Sequence, residues 1–164
     1  MKSEHDIEEL VRQLGERLVQ QQRFMCTAES CTGGGIANAI TDQAGSSAWF
    51  DRAYVTYSNQ AKITMLGVES STLDKYGAVS EPVAREMAAG ALRESGVDLS
   101  VAVTGVAGPG GGTRDKPVGM VCFGWSDGSQ LQTSTEQFPG GRAEVRAASV
   151  RFALQKLLEL AEIS

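Results

Sequence analysis

The sequence predicts a single α/β domain over residues 1–164, with one mixed sheet between helices on both faces in a three-layer α/β/α arrangement. Short apolar runs typical of buried strands alternate with segments of helical periodicity. Residues 118–125 and 131–138 flank a turn at 126–129, which predicts a hairpin and therefore antiparallel strands within the sheet. A length of 164 residues suits one domain.

The elements follow from local patterns. Leu10, Leu14 and Leu18 recur at helical spacing, Ser58 is a candidate N-cap, and Pro82 is suited to the first turn of a helix. The predicted order is a helix over 4–22, a strand over 24–28, a helix from Ile36, a strand over 53–57, a helix carrying Lys62, helices over 70–76 and 81–95, strands over 99–104, 118–125 and 131–138, and a helix over 142–161.

Composition excludes several classes of partner. Lysine and arginine number 15 against 20 aspartates and glutamates, without a basic block, so we expect no nucleic-acid partner. No apolar run approaches the roughly 20 residues of a membrane span. The polar N-terminus does not resemble a secretory signal, and the three cysteines form no CxxC pair, which together indicate reduced thiols in the cytoplasm.

The histidine content limits the possible chemistry. His5 is the one histidine, and it lies in a polar stretch predicted to be a solvated helix face. A serine–histidine–aspartate triad or a histidine- and cysteine-based zinc site would have to use it, so we expect neither. We therefore predict no metal and no other cofactor.

The first candidate site is the turn after the first predicted strand, where Ser30, Thr32, Gly33 and Gly34 precede a helix. Ligands bind at the carboxyl ends of strands in open α/β sheets. Amides at a helix start can also stabilise an oxyanion formed by attack from a nucleophile. The alternative is that Ser30 or Thr32 only caps the helix.

The second candidate is the pair formed by Tyr57 and Lys62. A serine nucleophile without histidine needs another base, and a desolvated lysine with a lowered pKa can serve as one. Tyr57 would relay the proton or bind the substrate. The alternative for Lys62 is an ordinary surface lysine.

Two further segments suit an anionic or carbonyl ligand. Thr104 and Gly105 open a glycine-rich loop after a buried strand, where exposed amides can bind an oxygen. Arg142 stands at a helix start, where the helix dipole disfavours a cation unless an anion binds there. The alternatives are a flexible connection and a surface arginine paired with an acid such as Glu144.

Six segments together resemble the C-terminal domain of the CinA family. They are residues 27–34, 45–50, 55–62, 77–84, 104–111 and 116–119, within a match from about residue 10 to residue 158. The resemblance implies a metal-free, homo-oligomeric α/β/α amidohydrolase. The stand-alone members convert nicotinamide mononucleotide and water to nicotinate mononucleotide and ammonia in pyridine nucleotide salvage. The implied partner is a small nucleotide substrate.

The resemblance also implies roles for individual residues. Ser30 corresponds to the family's proposed nucleophile, and Lys62 with Tyr57 to its proposed base and proton relay. Thr104 and Arg142 correspond to positions lining the site, and Ser47 is expected on a loop near them. Three other functions stay open: a thiol amidase using Cys31 with Glu29 and a lysine, a nucleotide-sensing module without catalysis, and a phosphoesterase acting on nucleotide diphosphates.

Overall fold

The sheet and its helices account for most of the chain. The structure, a computed structural model, describes the backbone of residues 2–163 and the side chains of 6–162, so the side chain of His5 lies outside the described residues. In this range the strands are β1 (Met25–Glu29), β2 (Phe50–Val55), β3 (Leu99–Gly105), β4 (Met120–Ser126) and β5 (Leu131–Gln137). The helices are α1 (Lys2–Gln21), α2 (Gly35–Thr41), α3 (Asn59–Leu66), α4 (Ser70–Tyr76), α5 (Glu81–Ser95) and α6 (Arg142–Ile163).

The strand order is β2-β1-β3-β4-β5, and the sheet is mixed as predicted. β1 pairs in parallel with β2 and β3, whereas β4 is antiparallel to β3 and β5 is antiparallel to β4. Glu29, the last residue of β1, is paired with Val55 on one side and Val103 on the other. The carboxyl ends of the three parallel strands therefore form one edge, where ligands bind in such sheets.

Two separate cores confirm the three-layer arrangement. One face of the sheet is covered by α1, α2 and α6, with the aromatic rings of Phe123, Trp125 and Phe152 in mutual contact. The other face is covered by α3, α4 and α5, which pack on the smaller side chains of Cys26, Ala28 and Ala102. Alternate residues of β1 and β3 thus face opposite cores, as strand periodicity requires.

Helix bounds agree with the predictions more closely than strand bounds do. α4 and α5 cover the predicted residues, because each begins after a polar residue and ends at a glycine. The strand predicted over 53–57 occupies Phe50–Val55 instead. Its pairing with β1 begins at Phe50, beside a bond from the Met25 N–H to the Trp49 carbonyl, so Tyr57 falls in the segment after the strand.

Gly90 allows α3 and α5 to approach each other closely. A Cβ atom at Gly90 would lie 1.9 Å from the carbonyl oxygen of Leu66, the last residue of α3. Arg93 of α5 also donates a hydrogen bond to that oxygen. The α5 helix therefore fixes the position of α3, which carries Lys62.

Candidate active site

Ser30 and Lys62 are in direct contact at the carboxyl edge of the sheet. Ser30 is the first residue after β1, and its N–H donates to the carbonyl of Val103 on the neighbouring strand. Lys62 is only 1% exposed, and its Nζ lies 3.0 Å from the Ser30 Oγ. The surface-lysine alternative for Lys62 is therefore wrong.

The surroundings of the Lys62 amine suit a general base. Besides Ser30, Nζ donates to the main-chain carbonyls of Thr56 and Tyr57, at 3.0 and 3.1 Å. In a neutral amine these two carbonyls hold both N–H groups, which leaves the nitrogen lone pair for the Ser30 hydroxyl. Burial of the side chain lowers the pKa of Lys62 and favours that neutral form.

Glu29 organises the turn that follows β1. Its buried carboxylate accepts four hydrogen bonds, from the Thr27 and Thr32 hydroxyls and from the N–H groups of Ile36 and Ala37 in α2. Glu29 therefore caps the helix, and the alternative in which Ser30 or Thr32 only caps it is wrong. The sequence did not predict this role, because the carboxylate binds N–H groups seven and eight residues further along the chain.

Ser30 and Lys62 open onto a cavity of about 300 Å³. The predicted residues Thr104, Gly105 and Arg142 line it, together with Tyr57. The full lining is Ser30, Cys31, Tyr57, Asn59, Lys62, Ala78, Val79, Thr104, Gly105, Val106, Ala107, Gly108, Gly110, Gly111 and Arg142. Its volume is at the lower end of the range for small-molecule sites. Asn59, Ala78 and Val79 were not predicted, because only the packing of α3 and the loop before α5 brings them here.

Several predicted contact groups are already engaged in the structure. The Thr104 hydroxyl donates to the Ala78 carbonyl at 2.9 Å. Thr32, Gly33 and Gly34 do not belong to the cavity lining. The Gly33 N–H donates to the Ser30 carbonyl, so this amide is not free to stabilise an oxyanion.

Arg142 and Tyr57 stand together at the cavity. Arg142 donates from Nη1 to the Gly108 carbonyl at 2.8 Å and from Nη2 to the Tyr57 hydroxyl at 3.2 Å. It forms no ion pair among residues 6–162, so the alternative pairing with Glu144 is wrong. The Tyr57 hydroxyl thus faces Arg142, whereas its main-chain carbonyl faces Ser30 and Lys62.

Ser47 lies away from the site, contrary to the expectation. It belongs to a 3-10 turn, Ser46–Ala48, immediately before β2. The start of β2 pairs with Met25 at the amino end of β1, whereas Ser30 follows the carboxyl end of β1. A residue before a parallel strand lies at the amino edge, so the chain does not bring Ser47 to this cavity.

Cys31 lines the cavity beside Ser30, but its thiol is poorly suited to nucleophilic attack. Burial raises the pKa of Cys31 to about 11, which keeps the thiol protonated near neutral pH. Cys26, Cys31 and Cys122 are all buried free thiols.

Neither a metal-binding cluster nor a membrane-spanning helix is present among the described residues. That part of the chain contains no group of three or more histidine, cysteine, aspartate or glutamate side chains arranged to hold a metal ion. It also contains no helix with the length and apolarity needed to cross a bilayer.

The fold and site define an α/β/α protein with a buried serine–lysine pair at the carboxyl edge of its parallel strands. The chain belongs to the CinA C-terminal domain family, whose model matches residues 7–161. It is 53% identical to "Nicotinamide-nucleotide amidohydrolase PncC" of Enterobacter agglomerans, over 95% of this chain and 96% of that protein. It is 47% identical to the protein of the same name from Escherichia coli K12, over 94% of each chain.

A solved structure confirms the architecture. The competence/damage inducible protein CihA from Agrobacterium tumefaciens superposes with a TM-score of 0.93 at 48% identity. The match covers 94% of this chain and 95% of that chain. The sheet order and the helices on both faces are therefore those of a solved CinA relative.

Proposed function

We propose that this protein is an amidohydrolase that converts nicotinamide mononucleotide and water to nicotinate mononucleotide and ammonia, in pyridine nucleotide salvage. The observation that carries the proposal is the 3.0 Å contact between the Ser30 Oγ and the buried Lys62 Nζ within a cavity of ligand size. The names of the PncC relatives support the substrate.

In the proposed acylation step, neutral Lys62 accepts the Ser30 hydroxyl proton while Oγ attacks the carboxamide carbon. Lys62 then passes that proton to the amide nitrogen, the C–N bond breaks, and ammonia leaves. The substrate acyl group remains as an ester on Ser30. One buried amine thus serves as base and then as acid, which requires a pKa closer to neutrality than that of free lysine.

In the proposed deacylation step, water takes the place of ammonia in the cavity. Lys62 accepts a proton from the water while the water oxygen attacks the ester carbon. The bond to Ser30 Oγ then breaks, and Lys62 returns the proton to Oγ. The products are the free carboxylic acid and the starting enzyme, so no cofactor is consumed.

The two ends of the nucleotide would bind opposite parts of the cavity. The carboxamide has to reach Ser30, whereas the phosphate suits Arg142. Its guanidinium donates to the Gly108 carbonyl and the Tyr57 hydroxyl and has no carboxylate partner among residues 6–162. Tyr57 is 62% exposed. Since its hydroxyl contacts Arg142, we assign Tyr57 to substrate binding and the base to Lys62. The aromatic ring suits contact with the cationic pyridinium of the substrate.

The thiol-amidase alternative has weaker support. Glu29 would have to activate Cys31, but its carboxylate already accepts four hydrogen bonds as the cap of α2. The phosphoesterase alternative requires carboxylates that hold metal ions, and the described residues offer no such group. A non-catalytic nucleotide sensor uses the same cavity, so turnover decides between it and the enzyme.

The test is an assay for ammonia released from nicotinamide mononucleotide, combined with mass spectrometry of the protein. We expect turnover by the natural sequence, and a loss of about 1,000-fold or more in kcat for Ser30→Ala. Cys31→Ala is the matched control and should keep most of the activity. Binding of the nucleotide without ammonia release would favour the sensor, and loss of activity only in the Cys31 variant would favour the thiol amidase.

Two further expectations accompany the proposal. Buried free thiols at all three cysteine positions suit a reducing compartment, so we propose a cytoplasmic location. The family resemblance also implies a homo-oligomer, which stays a prediction. Sedimentation of the purified protein tests it.

A further inference from the structure

Arg146 binds the turn that carries Ser30, although it lies more than a hundred residues away in sequence. Its Nε donates to the Cys31 carbonyl and its Nη2 to the Thr32 carbonyl, both at 3.1 Å. The side chain is half-buried on α6. One planar guanidinium therefore spans two consecutive carbonyls of the turn, a geometry that its fixed fork of donors allows.

A second charged group holds the same turn from within the protein. The Glu29 carboxylate accepts from the Thr32 hydroxyl and from two amides of α2. Arg146 thus binds the turn between β1 and α2 through its carbonyls, and Glu29 binds the same region through its hydroxyl and N–H donors.

The turn needs such external restraint because of its backbone. Gly33 and Gly34 both have positive φ, at 58° and 97°. Glycine reaches this conformation without strain but is also free to leave it. Since a peptide unit is planar and trans, fixing the Thr32 carbonyl also fixes the Gly33 N–H. That N–H donates to the Ser30 carbonyl, which connects the Arg146 contacts to the nucleophile.

The charge of Arg146 is not explained by an ion pair. In the part of the chain whose side chains are described, Arg146 forms no salt bridge. It also does not line the cavity, unlike Arg142 one helical turn earlier. It lies close to the site nonetheless, because its two hydrogen bonds reach the residues directly after Ser30.

We propose that Arg146 is a positioning residue for the serine–lysine pair. By holding the Cys31 and Thr32 carbonyls, it keeps the Ser30 Oγ within hydrogen-bond distance of the Lys62 Nζ. The inference rests on the proposed amidohydrolase function. It predicts an effect on the chemical step and little effect on substrate binding, because Arg146 is not in the cavity wall.

The variants are Arg146→Ala, which removes the contacts, and Arg146→Lys, which keeps the charge but cannot span both carbonyls with one fork. For both we expect kcat to fall about 100-fold, the scale of a misplacement of about 1 Å, while KM stays within about twofold. Added methylguanidinium, at concentrations too low to unfold the protein, should restore part of the kcat of Arg146→Ala. The matched control is Arg151→Ala on the same helix, whose side chain pairs with the exposed Asp6; it should show neither loss nor rescue.

A second measurement does not depend on the natural substrate. The rate at which p-nitrophenyl acetate acylates Ser30, followed by mass spectrometry with Ser30→Ala as the blank, should fall in Arg146→Ala as kcat does. Unchanged acylation in that variant would overturn the inference. A rise in KM with kcat preserved would likewise overturn it, in favour of substrate binding by Arg146. If the natural protein releases no ammonia from the mononucleotide but Ser30 acylation still depends on Arg146, the proposed function fails and the positioning role stands.

Discussion

At the scale of single residues, the protonation of Lys62 governs the pH at which the site can work. The amine must be neutral to accept the Ser30 proton, and burial lowers its pKa below the ordinary lysine value of about 10.4. Two carbonyls hold its N–H groups, and no carboxylate pairs with it among the described side chains. The neutral form is therefore accessible at a lower pH than for an exposed lysine.

The first prediction concerns the pH profile of this residue. Since deprotonation creates the active base, kcat/KM should rise with pH and level off above the Lys62 pKa, with the rising limb below about 10.4. Lys62→Met should remove the limb and lower kcat by about 100-fold or more. Steady-state rates of ammonia release across pH measure both effects. A Lys62→Met variant with the wild-type profile would show that another group is the base.

The second prediction separates the phosphate from the rest of the substrate. Arg142→Ala should raise KM for the mononucleotide about 10- to 100-fold, as expected for loss of charge-assisted hydrogen bonds. The riboside lacks the phosphate and should be almost insensitive to the change. Arg142→Lys, which retains a charge, should be intermediate. Equal losses on both substrates would place Arg142 at the carboxamide end or in the fold.

The sequence identifies site residues only where neighbouring positions in the chain carry the signal. Ser30 follows the first predicted strand and Lys62 lies in the helix after the second, and a chain with one histidine in its sequence needs another base. The family resemblance then implied the roles of both residues. Arg146 and Glu29 act through contacts that depend on packing: Arg146 reaches residues more than a hundred positions away. The spacing of Arg142 and Arg146, four residues apart on a predicted helix, was the available indication that they share a face.

At the scale of elements, the contact between α3 and α5 sets the position of Lys62, because α3 carries that residue. The third prediction is that Gly90→Ala destabilises the protein, although alanine in a helix is intrinsically favourable by about 1 kcal/mol. Its Cβ would lie 1.9 Å from the Leu66 carbonyl oxygen, so α3 must move away. Overpacking of this kind costs about 1–3 kcal/mol. The urea midpoint and kcat should both fall, because α3 carries Lys62.

The control for this prediction is Arg85→Ala, at an exposed position of the same helix. It should leave the urea midpoint and kcat nearly unchanged. A Gly90→Ala variant that is more stable than the natural protein would mean that the helix propensity of alanine outweighs the cost of overpacking. It would also mean that α3 and α5 can separate without consequence.

At the scale of the whole molecule, the direction of the strands decides which segments can meet. Ser30, Tyr57 and Thr104 each lie at or after the carboxyl end of a parallel strand, and all three line the cavity. Ser47 precedes its strand and lies at the opposite edge. The sequence places Ser47 before a predicted strand, but only the structure shows that this strand runs parallel to β1, which puts Ser47 at the opposite edge. The strand order, and with it which loops become neighbours, also required the structure.

The fourth prediction is that treatment with EDTA leaves ammonia release unchanged. In the proposed mechanism Ser30 supplies the nucleophile and Lys62 moves every proton, so no step needs a metal-bound water or a Lewis acid. The donor set agrees, because the described residues contain no cluster of three histidine, cysteine or acidic side chains suited to a metal. The measurement is kcat before and after EDTA and removal of the chelator, with Mg²⁺ or Zn²⁺ added back in parallel. Inactivation reversed by one of these ions would contradict the serine–lysine mechanism. Inactivation that neither ion reverses would indicate damage to the fold, and a lower urea midpoint of the treated protein would reveal that damage.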